Sequence, residues 1–120
     1  MAALPTIAIV DDDQAIREAL CDFIKSCGYR CHLFASAEEF LAVTPAVDCM
    51  LVDVKMPGLS GIELQARLSG HPKRSPMIFI TSCQDERLRR AAVAGGAFAY
   101  LEKPVDIDTL AICLEAALRG

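Results

Sequence analysis

Four short apolar runs and a weaker fifth punctuate the chain: Thr6 to Val10, Cys31 to Phe34, Val47 to Val52, Met77 to Ile80, and Phe98 to Leu101. Each has the length of a strand, and Ile7-Ala-Ile-Val10, Cys49-Met-Leu-Val52 and Met77-Ile-Phe-Ile80 are apolar without alternation. Continuous apolar strands are expected where helices cover both faces of a parallel sheet. The stretches between them carry helical spacing. Ile16, Leu20, Phe23, Ile24 and Cys27 recur at intervals of three and four, behind Asp13 as a cap and ahead of Gly28 as a stop. Ser36-Ala-Glu-Glu39 and Ser60-Gly-Ile-Glu63 match the capping-box pattern, in which serine and glutamate satisfy each other's backbone donors at a helix start, and so place a second and a third helix. A fourth helix is predicted from about Gln84 to Ala94, stopping at Gly95-Gly96. A fifth begins near Asp106 and is expected to bury Ile107, Leu110, Ala111, Leu114 and Leu118.

This alternation predicts an α/β fold with right-handed crossovers: a doubly wound, five-stranded parallel sheet of order 2-1-3-4-5, flavodoxin-like, with five flanking helices. No internal repeat, low-complexity segment or interdomain linker interrupts it, so residues 1–120 read as one domain. The polar residues then become informative by position. Strand one ends in Asp11-Asp12, strand three in Asp53, strand four in Thr81-Ser82, and strand five is followed by Glu102-Lys103-Pro104. In an open α/β sheet the ligand site lies beyond the carboxyl ends of the strands where the order reverses, here between strands one and three. Three carboxylates in a partly desolvated pocket repel one another and raise at least one pKa unless a cation compensates. Magnesium suits such a set, because it takes oxygen ligands and commonly bridges carboxylates to a phosphoryl group. Asp53 is the best-placed nucleophile toward a phosphoryl donor, with Lys103 and backbone N–H groups to neutralise charge.

Composition narrows the class. The 120 residues are 53% hydrophobic with a net charge of -4, which leaves no basic footprint for direct nucleic-acid contact. The opening MAALPTIAIVDDD has no basic start, and its apolar run is broken by Pro5 and ended by aspartates, which argues against a signal peptide or membrane span and for a cytoplasmic location. Six cysteines raise the question of a disulfide or zinc framework, but Cys21, Cys27, Cys49 and Cys113 sit among apolar neighbours and read as small core residues. Cys27 and Cys31 flank a Gly28-Tyr29 turn without a second close pair, and neither His32 nor His71 completes a metal set. His71, followed by Pro72, reads as a loop residue.

Four segments in order resemble the receiver domains of bacterial two-component response regulators, the CheY-like domains, and among them the FixJ-like group: Ile9-Val-Asp-Asp12, Asp53-Val-Lys-Met-Pro-Gly-Leu-Ser-Gly61, Ile80-Thr81 and Tyr100-Leu-Glu-Lys-Pro104. The match covers the whole chain. The resemblance implies that Asp12 binds Mg2+ directly, Asp11 acts mainly through water, and Lys55 contributes its backbone carbonyl. Asp53 would accept a phosphoryl group from a cognate sensor histidine kinase, Thr81 would bond a phosphoryl oxygen, and Lys103 would pair with the phosphate. It further implies a switch in which Thr81 moves, Tyr100 turns inward, and the surface of the fourth helix, fifth strand and fifth helix changes, controlling homodimerisation. The Lys103-Pro104 bond is expected to be cis, as it typically is in that family, and Lys55 and Cys83 to govern how water reaches the phosphoryl group.

Plainer roles compete at several positions. Asp13 reads as a helix cap rather than a metal ligand. Tyr100 is either the switch or an ordinary core aromatic with its hydroxyl at the surface. Arg87, Arg89 and Arg90 form either a solvated face or a partner-binding one. As functions, a haloacid-dehalogenase-type phosphatase needs an acid two residues after the nucleophile, where this chain has Lys55, and a degenerate receiver acting only by protein interaction would not need the full acid, threonine and lysine set. A receiver catalyses only its own aspartyl phosphorylation and dephosphorylation, so it is not an enzyme in the usual sense. FixJ-like receivers usually precede a helix-turn-helix DNA-binding domain, which makes this chain either a fragment of a transcription regulator or a stand-alone receiver.

Overall fold

The computed structural model describes residues 4–71 and 75–119. Ten elements alternate as β1 (Thr6–Val10), α1 (Gln14–Ser26), β2 (Arg30–Phe34), α2 (Ala37–Val43), β3 (Cys49–Val52), α3 (Gly61–Leu68), β4 (Met77–Thr81), α4 (Glu86–Ala94), β5 (Ala99–Glu102) and α5 (Ile107–Arg119). The strands form one parallel sheet in the order β2-β1-β3-β4-β5. The expected fold and strand order are therefore those observed.

Successive strand residues point to opposite faces, which divides the core in two. Ala8, Val10, Met50, Val52, Met77 and Phe79 pack with Phe40 of α2, Leu64 and Leu68 of α3 and Ala92 of α4. Ile7, Ile9, Cys49, Leu51, Ile78 and Ile80 pack with Leu20, Cys21 and Ile24 of α1 and Leu110, Leu114 and Ala117 of α5. Apolar residues at both parities of β1, β3 and β4 are what this double cover requires, and all thirteen residues from Ile7 to Val10, Cys49 to Val52 and Met77 to Thr81 are buried.

Side-chain oxygens start α1, α2 and α3 where the sequence placed them. The Asp13 carboxylate accepts from Ile16 N (3.1 Å), confirming it as the α1 cap. At α3 the box is reciprocal: Glu63 N donates to Ser60 Oγ (3.1 Å) and Ser60 N to Glu63 Oε1 (3.0 Å). At α2 only half forms. Glu39 N donates to Ser36 Oγ, but the Glu39 carboxylate reaches one residue further and accepts from Ala35 N (3.0 Å).

Five boundary or burial expectations are corrected. Helix α4 starts at Glu86 instead of Gln84, because the carboxylate of Asp85 caps it by accepting from Arg87 N (2.9 Å). β3 begins at Cys49, two residues after Val47, and β5 at Ala99, one after Phe98; Asp48 and Phe98 nonetheless donate backbone N–H bonds to Thr6 and Met77. Cys27 is exposed, since it is the residue at which the chain leaves α1, and Ile107 is 59% exposed in the first turn of α5. The buried stripe of α5 runs instead from Leu110 through Leu114 to Ala117, with Ala111 and Leu118 half-buried. All six cysteines are free, and His71 lies in an exposed loop, with Pro72 outside the described residues. No described helix is long and apolar enough to cross a membrane.

Candidate functional site

The carboxyl ends of β1 and β3 carry Asp11 and Asp53, and the sheet's own hydrogen bonds fix both. Asp11 N donates to Phe34 O (3.1 Å) and Asp53 N to Val10 O (3.0 Å), so each residue continues the ladder by one step. The three carboxylates of Asp11, Asp12 and Asp53 bring ligand oxygens within 4.8 Å of one another, the one such acidic cluster among the described residues. Asp11 is 2% exposed and Asp53 8%, while Asp12 is open to solvent.

Lys103, from the end of β5, closes the pocket. Its Nζ donates to Asp11 Oδ2 and Asp53 Oδ2, both at 3.0 Å. The Lys103–Pro104 peptide is cis, as the resemblance implied, and Lys103 N donates to Thr81 O (2.9 Å). Thr81 is the last residue of β4 and 1% exposed; its Oγ1 accepts from Cys83 N (3.0 Å). Four strands thus bring Asp11, Asp12, Asp53, Thr81 and Lys103 to one pole of the sheet, the arrangement expected at its switch point.

One ammonium does not balance three carboxylates, and the ionisation of the pocket reflects this. Burial pushes the Asp11 carboxyl above its ordinary value, against the opposing effects of the Asp13 N–H and of Lys103, and the Asp53 charge adds to the rise. Burial acts to lower Lys103, but its hydrogen bonds to Asp53 and Asp11 and their charges overcome it and hold the ammonium above its ordinary value. A net-negative pocket with only oxygen donors fits a hard divalent cation such as Mg2+.

Around this centre, Arg17 Nη1 donates to Asp11 O (2.7 Å), and Gly61 packs directly on the Asp53 backbone carbonyl. Neither contact was foreseen. Arg17 lies on α1 and carries no local signal, whereas Gly61 was legible only as the glycine between the Ser60 cap and Ile62.

The family described as "Response regulator receiver domain" matches residues 7–115. The chain belongs to the response regulator receiver domain family. The transcriptional regulatory protein FixJ of Bradyrhizobium diazoefficiens is 37% identical over 115 residues, covering 94% of this receiver and 56% of FixJ. A CheY-like receiver domain protein from Methanospirillum hungatei superposes with a TM-score of 0.91 at 28% identity, over 98% of this chain and 95% of that one. The crystal structure of FixJ-N gives 0.88 at 31% identity, over 100% of this chain and 97% of that one. The receiver spans about half the length of the curated relatives it matches. Receivers of response regulators are mostly non-enzymatic signalling domains.

The remaining predicted residues fall around the receiver's pocket. Lys55 is exposed in the loop after β3, and Cys83 is half-buried beyond Thr81. Arg87 pairs with Asp85 (3.3 Å), and Arg89 and Arg90 pair with Glu86 (3.5 and 3.8 Å), so the basic run on α4 is locally compensated. Tyr100 packs on Phe79 with ring centroids 6.1 Å apart. Its hydroxyl is buried, not at the surface, and finds no hydrogen-bond partner among the described residues. Beside it, Cys83, Asp85, Arg89 and Glu102 line a cavity of about 20 Å³, room for one water. Because an unpartnered buried hydroxyl contributes nothing favourable, Tyr100→Phe is expected to leave stability unchanged or raise it by up to about 1 kcal/mol in thermal melts. A loss of that size would show that the hydroxyl has a partner in solution.

Proposed function

We propose that this receiver, residues 1–120, is a phosphorylatable switch whose acceptor is Asp53. The observation that carries the reading is the bridge from Lys103 Nζ to Asp11 and Asp53, 3.0 Å each, with buried Thr81 on the neighbouring strand. A carboxylate oxygen of Asp53 attacks the phosphorus of a phosphohistidine on a cognate sensor kinase. The P–N bond breaks, the imidazole leaves and takes a proton, and an acyl phosphate forms on Asp53. Lys103 then exchanges part of its carboxylate contact for a phosphoryl oxygen, and the Thr81 hydroxyl turns from Cys83 N to donate to another. Hydrolysis reverses the state: water attacks phosphorus, the P–O bond to Asp53 breaks, and inorganic phosphate leaves.

Asp12 and Asp53 would hold Mg2+ directly, with Asp11 acting through water and Lys55 through its backbone carbonyl. The ion would supply charge neutralisation for the phosphoryl oxygens. Lys55 and Cys83 flank the path of attacking water. As Thr81 turns, Tyr100, whose hydroxyl is already buried beside the cavity, repacks there, and the α4-β5-α5 surface shifts to control a homodimer. The FixJ relationship supports a cytoplasmic transcription regulator whose DNA-binding output domain follows residue 120, with a stand-alone receiver acting by protein interaction as the second reading.

Acetyl phosphate or beryllofluoride with Mg2+ tests this. Wild type is expected to gain the mass of one phosphoryl group or the fluoride complex only when Mg2+ is present, and Asp53→Asn to gain neither. Uptake that survives in Asp53→Asn, or none in wild type, overturns the assignment.

A further inference from the structure

The loop after Asp53 carries Lys55 past the acidic pocket and ends at α3, where three successive backbone N–H groups close it. Leu59 N donates to Glu38 Oε2 (3.0 Å), Ser60 N to Glu63 Oε1 (3.0 Å), and Gly61 N to Val54 O (2.8 Å). The second and third acceptors belong to the loop and its own helix. Glu38 comes from α2, 21 residues before Leu59 in sequence.

A second observation points to the same contact. Gly58 has φ +77, and the Glu38 carboxylate lies against its Cα. A Cβ at this position would overlap Oε2 and stand 3.1 Å from Cδ and 3.2 Å from Oε1. The loop thus uses glycine both for a left-handed backbone and for the space that the carboxylate fills.

From these contacts we infer that Glu38 is a positioning residue for the divalent cation: through Leu59 N–H it sets the curve of the loop and hence the placement of the Lys55 carbonyl. The inference rests on the reading of Lys55 as a backbone ligand given above. Residues that orient a metal's ligands govern its affinity without touching it. Glu38 also stands in the first turn of α2, where a carboxylate favours the helix. That alone would alter stability and leave cation binding untouched.

Calorimetric titration of the full chain with Mg2+ and hydrogen exchange at the Leu59 amide separate the two roles. Glu38→Ala is expected to weaken Mg2+ binding by about ten-fold and to speed Leu59 exchange. Its phosphorylation by acetyl phosphate should slow at low Mg2+ and recover at saturating Mg2+. Glu38→Gln, which keeps an acceptor but removes the charge, should stay within roughly two- to three-fold of wild type, since a neutral acceptor is about half as strong. Gly58→Ala should lose Mg2+ affinity too, and the double variant no more than Gly58→Ala alone, because both changes break one contact. Unchanged Mg2+ binding in Glu38→Ala, or equal losses in Glu38→Ala and Glu38→Gln, overturns the positioning role. Failure of wild type to bind Mg2+ or take up a phosphoryl group overturns instead the function on which it rests.

Discussion

Gly61→Ala is expected to cost about 3 kcal/mol of folding stability, near the upper end for overpacking a rigid site. Helix propensity argues the other way, since alanine in a helix is favoured over glycine by about 1 kcal/mol. Steric exclusion wins here because the obstructing atoms cannot yield cheaply. The new Cβ would overlap the Asp53 carbonyl oxygen and stand 3.0 Å from both Phe79 Cε1 and Val52 Cγ1. Those side chains are 0% and 1% exposed, and the Asp53 backbone is tied to Val10 O. Relief requires moving the end of β3 or the start of α3, and with it the carboxylate of Asp53. Urea unfolding should show a lower midpoint with an unchanged slope. A midpoint at or above that of wild type would mean that α3 retreats from β3 at little cost.

Lys103→Met is expected to lose about 3 kcal/mol at pH 7, because it leaves buried carboxylates without their cation. The side chains of Lys103, Asp11 and Asp53 are 16%, 3% and 10% exposed, so water replaces the ammonium poorly. The loss should depend on pH in a defined direction. Asp11 titrates above its ordinary 3.8, so its favourable contribution to folding is complete below that value and disappears as pH rises through the folded pKa. Without Lys103 the ionised form is opposed further, and the gap between wild type and variant should narrow on acidification as Asp11 takes up a proton. Lys103 titrates above 10.5; its contribution is complete below that value and is lost as pH rises through its folded pKa, so the gap closes again in strong alkali. Thermal melts from pH 4 to pH 9 read the acid side of this directly. An equal gap at both ends of that range would remove the Lys103 pairing as its cause.

Much of this fold was legible because the signals were local and redundant. Apolar residues at both parities of β1, β3 and β4 required cover on two faces, and Asp13, Ser36 and Ser60 marked helix starts by their capping chemistry. Errors arose at the ends of elements, where the chain enters or leaves them. Cys27 fits the α1 stripe but occupies its last step, and Gln84 continues a polar stretch in which only Asp85 has the geometry to cap. In the site, Asp11, Asp53, Thr81 and Lys103 were visible as polar residues ending apolar strands, and the topology brought them together. Glu38, Arg17 and Gly61 were not, because each acts on a backbone atom of a segment distant from it in sequence or in another element. Side-chain type announces chemistry more readily than it announces support.

The sheet that separates the two cores also lets each be refitted separately. Ala8 and Val10 face one layer while Ile7 and Ile9 face the other, so a change of volume under α1 and α5 is felt by Leu114 and Ile24 before it reaches Phe40 or Leu64. A lineage descending from this receiver can therefore refit the helices on one side, acquiring new contours there, while the opposite side keeps its old ones. Only the strands answer to both, and they hold the acidic pole at their ends.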